Sequence, residues 1–195
     1  MRPEQTEGPY FVDEALQRSD IRSDPGSGVV SPGAPLLLTF ALSRVGAQAC
    51  TPLPGAHVDV WQCDALGVYS DVEDPNFDTR GKRYLRGYQL TDTRGLARFV
   101  TIYPGWYPQR AVHIHFKVRT APAASAGYSF TSQVYFDERL TGRVHAQAPY
   151  TNRHGTRRRN ADDSIYRQGG DQLVLDVTRA GSQYETVFPV GLQIP

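Results

Sequence analysis

Long apolar runs are missing from this chain. No stretch approaches the ~20 residues that a helix needs to cross a bilayer, and the apolar run Pro35–Leu42 is too short and too strand-like to be a signal core. No membrane role is therefore expected. An excess of one charge is missing too, since 21 Lys and Arg face 20 Asp and Glu and leave a formal charge of +1. A surface so balanced has no broad field with which to recruit nucleic acid or an acidic membrane, and it points to a small substrate. The dense basic run Arg157-Arg158-Arg159 falls in a polar stretch, 152–164, that reads as a solvated loop. Sulfur is scarce as well: one methionine and two cysteines, Cys50 and Cys63. Two cysteines flanking one strand of a secreted chain suggest a disulfide. A strand over 57–62 would nevertheless hold them about 20 Å apart, at ~3.3 Å per residue, unless the preceding loop folds back, so the pairing stays open.

Helical periodicity is also absent. Fourteen prolines and 18 glycines punctuate short runs rich in Val, Leu, Thr, Tyr and Phe, a pattern of strands and turns. An all-β fold is expected, a single-domain β-sandwich of two packed sheets over 1–195 with residues 1–20 as an N-terminal arm and long loops around the candidate site. The strands expected are Leu36–Val45, His57–Gln62, Tyr88–Thr91, Ala97–Thr101, Val112–Arg119, Tyr128–Phe136, Leu173–Thr178 and Glu185–Val190. Helix is confined to single turns at Asp137–Thr141 and Asp13–Arg18. Two long excursions separate strands: Asp71–Lys82, rich in turn formers, and Ala146–Gly170, whose polar composition reads as a surface loop. Trp61 and Trp106 read as core.

What is present is the run Pro104-Gly-Trp-Tyr-Pro-Gln-Arg-Ala-Val-His-Ile-His115. His113 and His115 stand two apart in the β-branched stretch Val112–Val118, so in a strand both imidazoles leave the same face and converge on one point. Imidazole suits iron, copper, zinc and nickel, while the phenol of Tyr107 is a hard anionic ligand that favours ferric iron. A histidine pair alone also fits an ordinary polar strand face, a zinc or copper site, or a non-catalytic β-sandwich binding module.

Three further blocks narrow the choice: Val58-Asp-Val-Trp-Gln-Cys-Asp-Ala-Leu-Gly-Val-Tyr69, Arg86-Gly-Tyr-Gln-Leu-Thr-Asp92 and Ser132-Gln-Val-Tyr-Phe136. Together, over roughly Gln5 to Phe136, these blocks resemble the intradiol ring-cleavage dioxygenases, the non-haem ferric enzymes that include catechol and protocatechuate dioxygenases. In that family one tyrosine ligand ends an Asp/Asn-Ala-X-Gly-X-Tyr turn, the other follows Pro-Gly-X, and two histidines form His-Ile-His three residues after an arginine. The resemblance implies Fe(III) held by Tyr69, Tyr107, His113 and His115, with Tyr107 as the axial tyrosinate that leaves the metal and takes a substrate proton. It implies Arg110 as the residue that stabilises charge on the ring, and Gln133 as the neighbour that orients Arg110 or donates to substrate. The opening Gln5-Thr6-Glu7-Gly8-Pro9-Tyr10 resembles an arm that lines the substrate pocket, with Thr6, Gly8 and Pro9 near the ring.

The activity implied is cleavage of a catechol-type ring by O2 between its two hydroxyl-bearing carbons, to give a muconic acid. Two departures stand out. The spacing from Tyr107 to His113 is shorter than in protocatechuate enzymes, and no helical dimerisation segment precedes Gly8-Pro9-Tyr10. Substrate choice and assembly, including a homo-oligomer, stay open on this account. The short amino terminus and the cysteines on either side of the Trp61 strand resemble the family's secreted bacterial members, which implies an extracellular enzyme acting on lignin-derived or other plant aromatics.

Overall fold

The computed structural model describes residues 2–120 and 127–194, so Met1 lies outside the described residues. Strands β1 (Pro35–Val45), β2 (Cys50–Pro52), β7 (Leu96–Ile102), β10 (Thr178–Ala180) and β11 (Gln183–Leu192) form one sheet, and β3 (His57–Trp61), β6 (Arg86–Leu90), β8 (His113–Arg119) and β9 (Ser129–Tyr135) form the second. In the first sheet β1 pairs in parallel with β11 on one side and antiparallel with β7 and β2 on the other. The second sheet runs β6-β3-β8-β9 and is antiparallel throughout. β4 (Glu73–Asp74) and β5 (Phe77–Asp78) make a small hairpin inside the 71–82 excursion.

Period-two alternation decides which face of each strand is buried. Leu36, Leu38, Phe40 and Leu42 of β1 turn inward and meet Val58 and Val60 of β3 and Ile114, Phe116 and Val118 of β8 in one core. Phe40 and Phe116 join the sheets, their ring centroids 4.8 Å apart, with Phe188 of β11 beside both. Each such side chain stabilises the fold by roughly 1.5–3 kcal/mol on burial. The same alternation turns His57, Asp59 and Trp61 of β3, and His113, His115, Lys117 and Arg119 of β8, to the opposite face. The N-terminal arm covers that face. Gln5 N–H donates to Thr131 O at 3.0 Å and Tyr88 N–H to Leu16 O at 2.8 Å, while Lys117 pairs with Glu7 at 2.6 Å and Arg119 with Asp13 at 2.7 Å.

Four expectations need correction. The strand expected over Leu173–Thr178 is a 3-10 turn, Gly170–Leu173, followed by a single bridge from Val174 to Tyr135. Leu173 and Leu175 alternate as in a strand because both plug the core. Asp13–Arg18 is extended, not helical: Ala15 has φ 50 and Gln17 bridges to Tyr88. The turn at Asp137–Thr141 grows into α1 (Glu138–His145), capped by the Asp137 carboxylate, which accepts from Leu140 N–H at 2.8 Å. Ala146–Gly170 is more than a surface loop, since it buries Tyr150, Asn160 and Asp163. Cys50 and Cys63 are both free; the first is exposed on β2 and the second is buried after β3.

Candidate metal centre

Two loops carry the two phenols, and both depend on glycine. Gly67 has φ +83, and a Cβ there would sit 2.0 Å from Trp106 O; a Cβ on Gly105 would sit 2.4 Å from Ala65 O. The loops 64–69 and 104–107 are therefore pressed backbone to backbone, a contact that Gly105 N–H closes on Asp64 O at 3.0 Å. The Asp64 carboxylate shapes the first loop by accepting from Leu66 N–H at 2.8 Å and Val68 N–H at 2.9 Å. The result brings the Tyr69 and Tyr107 rings to 5.7 Å, edge to face.

The imidazoles approach from β8. His113 Nδ1 lies 2.6 Å from Ala111 O, a contact that requires the proton on Nδ1 and leaves Nε2 as a bare acceptor. That Nε2 lies 3.0 Å from His115 Nε2 and 3.3 Å from the Tyr107 hydroxyl. The His115 ring is stacked on Trp61, centroids 4.9 Å apart and 7° from parallel. Its Nδ1 and the Tyr69 hydroxyl are buried with no hydrogen-bond partner. These facts test the fit to a cation. If His115 carries its proton on Nε2, then its buried Nδ1 lone pair is orphaned; if on Nδ1, then two lone pairs face each other at 3.0 Å. A cation among the four donors separates the facing lone pairs and gives the Tyr69 oxygen a partner, so the residues suit a metal ion.

Electrostatics agree with that fit. Burial, then the charge of Arg110, pushes His113 down to about 3, and burial followed by His113 and Arg110 holds His115 well below its ordinary value. Both rings are neutral ligands. Burial raises both phenols, Tyr107 to about 12 and Tyr69 well above its ordinary value, with the neighbouring Tyr107 adding to the latter. A strongly Lewis-acidic ion is what such phenols need to ionise. Burial likewise keeps the nearby Cys63 thiol protonated, so no thiolate competes for the ion. Among the described residues no group of three or more His, Cys, Asp and Glu assembles, so the centre depends on the tyrosines.

Arg110 is fixed by residues from two distant segments. Its Nε donates to Asp163 at 2.9 Å and its Nη2 to the Gln133 side-chain oxygen. Asp163 is fully buried and also accepts from the backbone N–H of Ala111 and of Ile165, each at 2.7 Å. Burial opposes its ionisation, but the Ala111 amide and the Arg110 charge outweigh that and hold the carboxyl below its ordinary value. Gln133 is buried: its oxygen also accepts from the Tyr135 hydroxyl at 3.2 Å, and one N–H of its amide donates to Thr6 O at 2.9 Å.

The arm closes the site. Gly8 lies against the His115 ring, 3.4 Å from the place its Cβ would occupy, while the Thr6 hydroxyl accepts from Gly8 N–H at 3.2 Å. Tyr10 stacks on Tyr69 at 4.6 Å and donates to Asp74 at 2.7 Å. Buried Arg86 ties arm to loop by donating to Tyr10 O at 2.6 Å and to Ser70 O at 3.0 Å. A cleft of about 530 Å³ opens beside Tyr107, lined by Tyr10, Phe77, Gln109, Arg110 and Arg153 among others. Thr6, Gly8 and Pro9 lie on the arm but not in that lining; Tyr10 is the arm residue that faces the cleft. The structure thus brings the four expected donors, Arg110 and Gln133 together, and sets beside them Tyr10, Arg86 and Asp163, which were not among the expected site residues.

The family model described as Dioxygenase matches residues 6–141. A catechol 1,2-dioxygenase of Candida albicans is 27% identical over 190 residues, covering 86% of this chain and 52% of that protein. A hydroxyquinol 1,2-dioxygenase of Corynebacterium glutamicum is 29% identical over 133 residues, covering 59% and 40%. The chain thus spans about half the length of the first of these relatives, and less of the second. Among solved structures, an intradiol ring-cleavage dioxygenase from Tetranychus urticae superposes with a TM-score of 0.84 at 29% identity, covering 99% of this chain and 94% of that one.

Proposed function

The chain belongs to the intradiol ring-cleavage dioxygenases, and from that premise we propose that it is a non-haem Fe(III) enzyme that uses O2 to cleave catechol-type rings between the two hydroxyl-bearing carbons, yielding muconic acids. The observation that carries this reading is the convergence of Tyr69, Tyr107, His113 and His115 beside a cleft wide enough for an aromatic ring. These four residues would hold the iron. When bound, ferric iron supplies Lewis acidity that ionises phenols and diols and draws electron density from a chelated ring, so that dioxygen attacks it directly.

The remaining work falls to the chain. Tyr107 is the ligand that borders the cleft, so its oxygen accepts one diol proton while the buried Tyr69 stays in place. Arg110 keeps Nη1 as its nitrogen without a protein partner among the described residues, aimed by Asp163 and Gln133, and it stabilises negative charge as that develops on the ring. Gln133 orients Arg110 through its side-chain oxygen, and its amide keeps one N–H beyond the bond to Thr6 O with which to donate to substrate. Trp61, Tyr10 and Gly8 wall the donors off from water. Phenols in the donor set argue against zinc or copper, neither of which needs them. The same reading takes 1–195 as one catalytic domain with residues 1–20 as its arm.

The iron-loaded protein should be red to burgundy from tyrosinate-to-iron charge transfer, and should consume O2 in step with catechol while a dicarboxylic acid forms. A colourless protein that retains zinc, or an iron-loaded one that leaves catechol intact, would overturn the proposal.

A further inference from the structure

The cleft beside Tyr107 does not end at the ring site. A second cavity of about 560 Å³ lies against it, lined by Trp106, His154, Arg157 and Arg158, and the two share Pro108, Gln109 and Arg153 in their walls. Each is within the roughly 300–1,000 Å³ range of sites that enclose a drug-sized ligand, so a lone diol ring would underfill even the first.

The chemistry of the shared wall is cationic. Arg153 stacks its guanidinium over the Trp106 ring, 4.8 Å from the centroid, which fixes its plane. Its Nε is buried without a partner, and among the described residues no carboxylate lies within ion-pairing distance of it. The neighbouring acid Asp64 is engaged by the backbone amides of Leu66 and Val68. Of the other basic groups, Arg157 pairs with Glu138, and Arg158, on the far side of the cavity beside Asp162, donates to the Asp162 backbone O at 2.7 Å. Arg110, on the ring side, is committed to Asp163 and Gln133. Arg153 is therefore the guanidinium left unpaired at the junction of the two cavities, where a planar fork of donors recognises a carboxylate.

We propose that Arg153 and the groove behind it form a subsite for the acidic tail of an elongated aromatic diol, one whose carboxylate is carried on a short chain away from the ring. This rests on the ring-cleaving function proposed above and adds the part of the substrate that does not react. The tail crosses the Pro108–Gln109 rim and pairs with Arg153, while the diol stays beside Tyr107.

Calorimetric titration of the iron-loaded protein with catechol, 3,4-dihydroxybenzoate, 3-(3,4-dihydroxyphenyl)propanoate and the methyl ester of the last tests this. The propanoate should bind at least tenfold more tightly than catechol and than the benzoate, and its uncharged ester should lose that margin. In Arg153→Gln the ratio of propanoate to catechol affinity should fall to about one. A wild-type ratio near one, an ester as tight as the acid, or a ratio unaltered by Arg153→Gln would overturn the subsite. Binding keeps this separate from the chemistry: a tail preference without cleavage of any diol would refute the ring-cleaving function and leave the subsite standing, whereas cleavage of all four without a preference would do the reverse.

Discussion

The two imidazoles and the two phenols of the centre are held in opposite ways. His113 and His115 ride on β8, a strand paired on both sides, and each ring has a further lock: Ala111 O for one, the Trp61 stack for the other. Tyr69 and Tyr107 hang from loops that touch each other through two glycines, and Tyr107 borders open space. The difference teaches where the molecule can move. A strand inside a sheet cannot shift one residue without turning its side chains to the other face, so it suits ligands that must stay; a loop suits a ligand that must let go and take a proton.

The most severe way to break the comparison is to empty the strand side. His113→Ala and His115→Ala should each retain less than about a tenth of the wild-type iron and show no measurable turnover, by metal analysis and oxygen uptake; full occupancy in either would show that the strand face is not where the metal is held. On the loop side, Tyr107→Phe should keep most of its iron, change colour, and lose roughly 10²–10⁴-fold in turnover as the proton acceptor disappears. Parental turnover in this variant would erase the distinction between the two kinds of ligand. Arg110→Lys retains the charge and loses the fork that Asp163 and Gln133 hold, and turnover should drop by about 10² with the substrate-induced spectral change preserved. A loss confined to substrate affinity would instead make Arg110 a docking residue.

Smaller effects sharpen the contrast. Gly67→Ala forces a Cβ into Trp106 O at positive φ and should lower stability by about 2 kcal/mol or more, read as a fall in Tm, with iron retention falling only as far as Tyr69 is displaced. The mildest is a pH effect on the Tyr69 loop. Burial first, then the neighbouring Asp71, pushes Glu14 up from 4.5 to about 7 against the opposing pull of Arg86 and Arg83. The folded state thus prefers the protonated acid. That contribution is full below about 4.5 and is lost as pH rises through about 7. Cleavage of the arm by protease should quicken above neutrality, and Glu14→Gln should flatten the dependence; an unchanged profile in that variant would clear Glu14 of the role.

Period two puts His113 and His115 on one face and was legible in the sequence, as was the nearby Tyr107, whereas Tyr69 was reached through the family resemblance; the structure brings all four together. Asp163 was not legible, because it meets Arg110 only when the chain closes across 53 positions, and nothing in a polar stretch marks which carboxylate will be buried. The arm failed for a similar reason. Asp13–Arg18 contains helix-compatible residues, yet its backbone partners lie at Tyr88, and tertiary hydrogen bonds override a marginal local preference.

The parallel pairing of β1 with β11 sets residue 36 beside residue 184, and this has a consequence for biosynthesis. A nascent chain exposes Leu36, Leu38 and Phe40 early; β7 then covers one edge of β1, but the other waits for almost the whole chain to leave the ribosome. The sheet that carries His113 and His115, by contrast, has all its strands by Tyr135. Translation that stalls within 146–182 would therefore release a chain with its ligand strand paired and one apolar edge open, a template for aggregation and a target for chaperones.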